Sequence, residues 1–439
     1  MHAEPFSCYR PTPERAAGFA ALPYDVFDRA EAAAYVATHP ESFLAIDRPE
    51  TAFAPDHDMY ADDVYAKAHE LLAARVADGT LLRDAKPCYY LYRLEQEGHA
   101  QTGIVCAAAL SDYADGTIRR HELTRRDKED DRVRHIKATG CQTGPIFLAY
   151  RDDAVLQMLV DAACAAEPLY DFTDEAGVRQ TVWRVARPEA VESLRLMLER
   201  MPRAYIADGH HRAASAARVC QELRAAHAGT GAGAAAGEKD EPAAGADGTA
   251  ASPAEAPWDY LLCVLFPASQ LTVLPYNRVV ADTAGLSEDE LVAAVRAGGF
   301  AVGERQEAPV SPAERGHVGM WAFGAWRELS WEGPVPADPV AALDVSLLQE
   351  HVLGPILGIG DPRLDPRISF VGGSAGTVEL ERRAGGAGVA FSLHATSVGE
   401  LMDVADAGQL MPPKSTWFEP KLRSGLFIRR IGAGQAARA

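Results

Sequence analysis

The sequence lacks the features that mark several classes of protein. Its 7 cysteines include no CxxC pair, which argues against a disulfide framework or a zinc ribbon, and their odd number suits a reducing compartment. No apolar run approaches the roughly 18 residues of a membrane helix, and the N-terminus has no apolar core of the signal-peptide kind. We therefore expect a cytoplasmic protein with free thiols and no membrane partner.

Net positive charge is also missing. The formal net charge of -19 argues against binding to nucleic acid, because a binder of phosphate backbones gains from a positive surface. What the chain does have is 48% hydrophobic residues over 439 positions, enough for a large core and for more than one domain. The oligomeric state is left open, with a homodimer among the expected states.

Local patterns predict a mixed α/β fold. Apolar residues at helical spacing predict an amphipathic helix over 59–77, and Tyr- and Val-rich runs on either side of Glu95-Gln96-Glu97-Gly98 predict a β-hairpin. Pro188 opens a further predicted helix, and a short buried strand follows at 204–207. Beyond residue 257 the patterns predict two strands, a capped helix, a second hairpin and a last helix.

We divide the chain into an N-terminal α/β lobe at 1–150 and a core lobe at 151–426, followed by a tail at 427–439. Residues 227–257 are rich in Gly, Ala, Pro and acidic residues and have no periodic apolar pattern. Such a segment buries too little surface to offset its ordering entropy, which predicts a disordered insertion. An active-site lid is the functional alternative.

The densest chemical motif follows the strand at 204–207. Asp208, Gly209, His210, His211 and Arg212 form a polar turn that leads into a predicted helix. Backbone N–H groups and the helix dipole meet at such a turn, which suits an anion such as phosphate. The aspartate could bind a metal or accept a proton, and the histidines could transfer protons or donate to phosphate oxygens. The guanidinium could bind a phosphate or a carboxylate. A capped helix with surface histidines and a zinc site are the alternatives.

A second motif places cations around a single carboxylate. Arg120 and His121 precede Glu122, and Arg132 follows in a stretch of alternating charge. This composition suits phosphate binding by the cations, with Glu122 as base or metal ligand, although alternating charges also mark a solvated helix face. The Thr139–Gly144 segment is a candidate phosphate-contacting loop that lacks the lysine of a P-loop.

A third motif lies near the end of the chain. Lys414, Ser415, Thr416 and Lys421 stand among prolines that restrict the backbone, a composition that can cradle an anion or form an ordinary surface loop. Arg278, at a predicted strand, is a further candidate for substrate or phosphate binding, with a structural role as the alternative.

Read together, these motifs resemble a long-uncharacterised bacterial family. The resemblance runs from Leu22 to Leu426 and is carried, in order, by LPYDVF, RRHELT, GPIFLAY, YIADGHHR, LTVLPYNRVV and MPPKSTWFEPKLRSGL. That family is similar to the superfamily of ParB, sulfiredoxin and the free serine kinases. The resemblance implies an α/β (α+β) fold, with a ParB/sulfiredoxin-like core and a mixed sheet, elaborated by N- and C-terminal segments into two lobes.

Within that superfamily the motif is most similar to that of the free serine kinases. Sulfiredoxin has a cysteine in the motif where this chain has Asp208, His210 and His211, and the basic DNA-binding surface of ParB is missing. The resemblance implies a phosphotransferase, a kinase that moves a phosphoryl group between ATP or ADP and the hydroxyl of free serine or a similar small molecule. A phosphatase acting on O-phosphoserine and a nucleotide-binding regulatory switch are the alternatives.

Phosphoryl transfer requires positioning of the reactants, neutralisation of the charge on the transferred group and a base for the attacking hydroxyl, and each motif can supply one of these. Arg212, the helix start and Lys414 hold phosphates. Asp208 or Glu122 takes the hydroxyl proton or holds Mg²⁺, while His210 and His211 stabilise developing charge.

Overall fold

In the computed structural model, which describes residues 1–231 and 256–432, the chain divides into two structural units. Unit 1 comprises Met1–Arg119, Thr124–Gln270 and the segment from Pro420, and unit 2 comprises Arg120–Leu123 and Leu271–Glu419. Residues 232–255 of the predicted insertion at 227–257 lie outside the described residues, as does the 433–439 part of the predicted tail.

This division differs from the predicted boundary at residue 150. The strand at 146–150 lies inside the sheet of unit 1, hydrogen bonded to 204–208 on one side and to 260–267 on the other. A boundary at that point would separate strands whose backbone groups satisfy one another, which explains why the chain does not divide there.

Unit 1 is built around a nine-stranded mixed sheet. The strands of unit 1 are β1 (Ala3–Glu4), β2 (Tyr9–Pro11), β3 (Leu81–Arg83), β4 (Tyr89–Gln96), β5 (His99–Ala109), β6 (Ile118–Arg119), β7 (Cys141–Gln142), β8 (Ile146–Tyr150), β9 (Tyr170–Thr173), β10 (Arg179–Val185), β11 (Ala204–Asp208), β12 (Tyr260–Pro267) and, last in the chain, β21 (Arg429–Arg430). The main sheet has the order β6-β11-β8-β12-β5-β4-β10-β9, with β1 beside β5. Separate short ladders join β2 to β3 and β7 to β21.

Unit 1 also contains helices. They are α1 (Ala16–Phe19), α2 (Arg29–Thr38), α3 (Leu44–Asp47), α4 (Asp62–Ala77), α5 (Leu110–Asp115), α6 (Arg126–Thr139), α7 (Ala154–Cys164), α8 (Pro188–Glu199) and α9 (His210–Gly231). Side chains of β5, β8, β11 and β12 form the main core with residues of α7, α8 and α9. The mixed sheet with packed helices confirms the predicted α/β fold class.

The predicted hairpin is formed by β4 and β5. Gln96 pairs with His99, and the two residues between them, Glu97 and Gly98, have φ of 52° and 81°. Positive φ at both central positions is the geometry of a type I′ turn, which matches the twist of the flanking strands.

The C-terminal segment belongs to the body of unit 1. Phe427 and Ile428 are fully buried, and Arg429 pairs with Gln142 across β21 and β7. Residues 427–430 of the predicted tail are therefore part of the packed structure of unit 1.

The strands of unit 2 are β13 (Thr272–Leu274), β14 (Tyr276–Val280), β15 (Phe300–Val302), β16 (His317–Ala322), β17 (Ala325–Trp331), β18 (Ile368–Gly372), β19 (Val389–Leu393) and β20 (Trp417–Glu419). Six of them form an antiparallel sheet with the order β15-β17-β16-β19-β14-β18, and β13 pairs with β20. The helices of unit 2 are α10 (Glu288–Ala297), α11 (Asp344–Leu348), α12 (Gly376–Ala384) and α13 (Val398–Asp406). Pro275 separates β13 from β14, because proline offers no N–H to a ladder.

Two expectations from composition concern the state of the cysteines and the presence of membrane-spanning helices. All 7 cysteines lie in the described part, and none forms a disulfide. Across the two described ranges, no helix has both the length and the apolar character needed to cross a bilayer.

Candidate functional site

The Asp208–Arg212 motif forms the turn between β11 and α9 in unit 1. Asp208 ends the strand, Gly209 has φ of 96°, and the helix begins at His210. A Cβ added to Gly209 would lie 3.1 Å from the guanidinium of Arg212. Glycine is therefore required here by the left-handed backbone and by the close approach of Arg212.

Two cations flank the carboxylate of Asp208. Its Oδ2 lies 3.3 Å from Nη2 of Arg212 and 3.9 Å from Nζ of Lys421. Burial raises the pKa of Asp208, but Lys421, then Arg212 and His210, outweigh it and lower that pKa to about 2. Asp208 is therefore ionised at neutral pH, although its side chain is 32% exposed.

Arg212 is held in place by its neighbours. Its Nη1 donates a hydrogen bond to the carbonyl oxygen of Pro145, and its side chain is mostly buried. A Cβ added to Gly144 would lie 3.5 Å from Nη1 of Arg212 and 3.2 Å from Oγ of Ser424. Gly144 thus lies beside Arg212, and Ser424 of the C-terminal segment also lies close to Gly144.

Arg212 also lines a narrow cleft. The other polar residues of this cleft are Tyr24, Asp47, Arg132, His135, Gln142, Thr143 and Ser424. Its volume of about 30 Å³ has room for about two water molecules. The cleft therefore accommodates a group of a few atoms, and a larger ligand would extend over the surface outside it.

A buried polar network forms one wall of the cleft. Thr143 Oγ1 donates to Asp47 Oδ1 at 2.9 Å, and Arg132 Nη1 lies 3.9 Å from the same oxygen. The Arg132 guanidinium lies 4.0 Å from the centre of the Tyr24 ring and donates to Asp131. With these partners, Arg132 is fixed in the wall of the cleft.

The two histidines of the motif have different surroundings. His211 Nε2 accepts a hydrogen bond from the backbone N–H of Arg125 at 3.0 Å. In a neutral His211 the ring proton is then on Nδ1, which can act as a donor. His210 is 6% exposed, and its charge contributes to the low pKa of Asp208.

The remaining predicted site residues belong to unit 2. These are Arg120, His121, Glu122, Arg278, Lys414, Ser415 and Thr416. Within that unit, the backbone N–H of Met411 donates to the carbonyl oxygen of His121 at 2.8 Å, which joins the Arg120–Leu123 segment to the start of the MPPKST segment. Unit 1 therefore brings together Asp208, Gly209, His210, Arg212 and Lys421, with Arg132 in the adjoining cleft.

The MPPKST segment is an ordered turn in unit 2. Ser415 Oγ donates to the carbonyl oxygen of Pro412 at 2.7 Å, and Lys414 has φ of 58°. The Lys414 ammonium lies 5.5 Å from the centre of the Tyr276 ring. The prolines and this turn give the segment a defined backbone.

Sequence reasoning missed Asp47 and Ser424, and it named Tyr24 only within the LPYDVF motif. Asp47 is the last residue of the short helix α3, a position that has no recognisable signal in the sequence. Ser424 lies in the KLRSGL part of a motif whose lysines drew the prediction. Only the packing of distant segments around Arg212 and Arg132 identifies these residues.

The metal prediction has limited support from side chains. Among the residues that the structure describes, no group of three or more His, Cys, Asp and Glu side chains could hold a metal ion. In unit 1, Asp208 is the predicted ligand, and Arg212 and Lys421 already flank it.

Several solved structures are similar to this chain at low identity. A free serine kinase in complex with AMP is 13% identical, with a TM-score of 0.32, and the match covers 74% of this chain and 92% of that one. The C-terminally truncated SbnI from Staphylococcus aureus is 11% identical, with a TM-score of 0.35 and coverages of 74% and 87%. A conserved hypothetical protein from Pyrococcus furiosus is 14% identical, with a TM-score of 0.33 and coverages of 74% and 95%.

The search of curated proteins finds no match. A family model does match, over residues 3–346, and its description is "Protein of unknown function (DUF1015)". The match covers well over half of the sequence and contains the Asp208–Arg212 turn. The chain therefore belongs to the DUF1015 family.

Proposed function

We propose that this protein is a phosphotransferase, a kinase that moves a phosphoryl group between ATP or ADP and the hydroxyl of free serine or a similar small molecule. The observation that carries the proposal is the pair of cations, Arg212 and Lys421, gathered at the start of α9. The similarity of the DGHHR motif to that of the free serine kinases supports the choice of acceptor.

The turn has the physical properties of a phosphate site. The first N–H groups of a helix have no intrahelical acceptor, and the helix dipole places partial positive charge at the same end. Arg212 adds a planar fork of donors and Lys421 adds a point charge, so a phosphate there would meet donors from backbone and side chains. Gly209 lets the backbone approach such a ligand closely.

The low pKa of Asp208 restricts its role in this proposal. A general base works best with a pKa near the operating pH, and the pKa of Asp208 is about 2. Asp208 is therefore a weak base, and in the absence of ligand its carboxylate pairs with Arg212 and Lys421. Glu122, the other predicted base, lies in unit 2 and its role stays a prediction.

In this proposal the two histidines would stabilise the negative charge that develops on the phosphoryl group. His211 uses Nε2 to accept from the backbone of Arg125, so its Nδ1–H is the group that could donate to a phosphoryl oxygen. His210, close enough to influence the pKa of Asp208, would add positive charge when protonated. Arg120, His121, Lys414, Ser415 and Thr416 remain predicted ligand contacts.

Mg²⁺ fits this turn only when it arrives with a nucleotide. Mg²⁺ usually binds one or two protein carboxylates together with substrate phosphates and water. Asp208 would be the protein ligand in unit 1, and the ion would neutralise phosphate charge. Glu122, the other predicted ligand, lies in unit 2.

The test is a product assay with the full chain. The protein is incubated with labelled ATP, ADP or pyrophosphate and a panel of free amino acids, and separately with O-phosphoserine with and without ADP. We expect labelled O-phosphoserine from L-serine and a nucleotide, and loss of that product in Arg212→Met. Release of phosphate from O-phosphoserine without ADP would favour a phosphatase, and saturable nucleotide binding without any product would favour a regulatory switch.

A further inference from the structure

Arg278 lies in the interior of the unit 2 sheet. It is on β14, between β18 and β19, where its register partners are Phe370 and Phe391. The residue is 3% exposed, and its guanidinium lies 5.4 Å from the centre of the Phe370 ring. A charged side chain thus occupies an aromatic region of the sheet.

The charge of Arg278 is matched by carbonyl oxygens only. Its Nη1 donates to Tyr276 and its Nη2 to Pro413 at 3.4 Å. Within the described ranges, no carboxylate lies at ion-pair distance from this guanidinium. Burial lowers the pKa of Arg278 to about 10, and a buried charge without an opposite charge costs folding free energy.

Other buried arginines of the described chain are satisfied differently. Arg10, Arg48, Arg132 and Arg423 each pair with a carboxylate. Arg429 has no such pair but donates to the side-chain oxygen of Gln142 and to the carbonyl oxygens of Pro257 and Tyr260. Arg278 has a smaller set of acceptors than Arg429 and no carboxylate, which sets it apart as a candidate ligand residue.

We propose that Arg278 is the charged residue of a second ligand site, contained in unit 2, which binds the carboxylate of a small organic acid or amino acid. A guanidinium has five N–H donors in a planar fork that matches a carboxylate, and one carboxylate supplies the single negative charge that Arg278 lacks. Half-buried Tyr276 and Trp417, whose rings meet edge to face at 5.1 Å, would form the apolar side of this site. This proposal does not depend on phosphoryl transfer.

The test compares thermal unfolding of the full chain in sodium acetate, L-serine, sodium phosphate and sodium chloride at equal ionic strength. Since a ligand that binds only the folded state raises Tm, L-serine or acetate should raise it by about 2–4 °C above chloride. Arg278→Met should abolish this rise. The control is Arg382→Met, which removes an exposed arginine paired with Glu379 in the same unit and should keep the rise.

If Arg278→Met does not fold, tryptophan fluorescence tests the same ligand site. L-serine should change the tryptophan fluorescence of the wild-type protein, and Trp417→Phe should remove that change, because Trp417 contacts the residue whose carbonyl accepts from Arg278. The proposal is overturned if neither carboxylate raises Tm of the wild type, if the fluorescence change persists in Trp417→Phe, or if phosphate alone gives an Arg278-dependent rise. ADP binding, measured on the same samples, tests the phosphotransferase proposal separately.

Discussion

Replacing Asp208 by asparagine removes the negative charge between two cations. In the folded protein the pKa of this carboxyl falls from 3.8 to about 2, and Arg212 and Lys421 lie 3.3 and 3.9 Å away. A pKa change of this size corresponds to at most about 2.5 kcal/mol. Because the side chain is 32% exposed, solvent screening reduces the effect, and we expect Asp208→Asn to lower the free energy of unfolding by about 1–2 kcal/mol at pH 7.

The pH dependence of this loss follows from the direction of the shift. The folded pKa lies below the unfolded pKa, so the stabilisation is complete above about pH 4 and disappears as the pH falls toward 2. Urea unfolding should therefore give a constant difference between wild type and Asp208→Asn from pH 7 to pH 5. A difference that grows as the pH falls would refute this reasoning.

The same change should strengthen the binding of metal-free ADP. Asp208 repels phosphate and competes with it for Arg212 and Lys421, and removal of such a charge near a protein surface is worth about 1 kcal/mol, or about fivefold in Kd. The assay is calorimetric titration with ADP in EDTA, with Asp130→Asn as a control that removes a carboxylate paired with Arg218. Weaker binding of ADP by Asp208→Asn without metal would show that Asp208 does not compete with phosphate.

Three further substitutions have defined outcomes. Arg212→Lys keeps the charge but loses the planar fork of donors, so the Kd for ADP should rise about tenfold in calorimetric titration. Arg218→Lys, on the same helix, should leave this Kd unchanged, and equal effects of the two substitutions would contradict the assignment of Arg212 to phosphate binding. Gly209→Ala should lower the free energy of unfolding by about 1–3 kcal/mol and also weaken ADP binding. Gly79→Ala, which is also at positive φ but has no atoms near the added Cβ, should lower the free energy of unfolding and leave ADP binding unchanged. Asp84→Asn leaves two arginines without their buried carboxylate, so urea unfolding should show a loss of about 3–5 kcal/mol; a loss below 1 kcal/mol would contradict the account.

Local patterns allowed much of the fold to be predicted. The hairpin of β4 and β5 is confirmed because alternating residues and a two-residue turn specify it within one short stretch. The helix opened by Pro188 is confirmed for the same local reason. The division into units could not be predicted, because β8 pairs with strands that are distant in sequence. Such non-local pairing has no signal in a single sequence.

The candidate site likewise has one part that could be predicted from the sequence and another that could not. The Asp208–Arg212 turn was predictable because its strand, glycine and helix start are consecutive in the chain. Its electrostatic partner Lys421 was named from a separate motif, and the distance of 3.9 Å to Asp208 could come only from the folded chain. The wall formed by Asp47 and Thr143 had no recognisable signal, since its hydrogen bond joins side chains 96 residues apart.

Hydrogen exchange with and without ADP tests the central claim most directly, because it reports where a ligand protects the backbone. We expect ADP to slow exchange in peptides that cover residues 204–215 and in the peptide containing Lys421, and Arg212→Met to remove this protection. Protection confined to other parts of the chain, or its persistence in Arg212→Met, would contradict the assignment of the β11–α9 turn as the phosphate site.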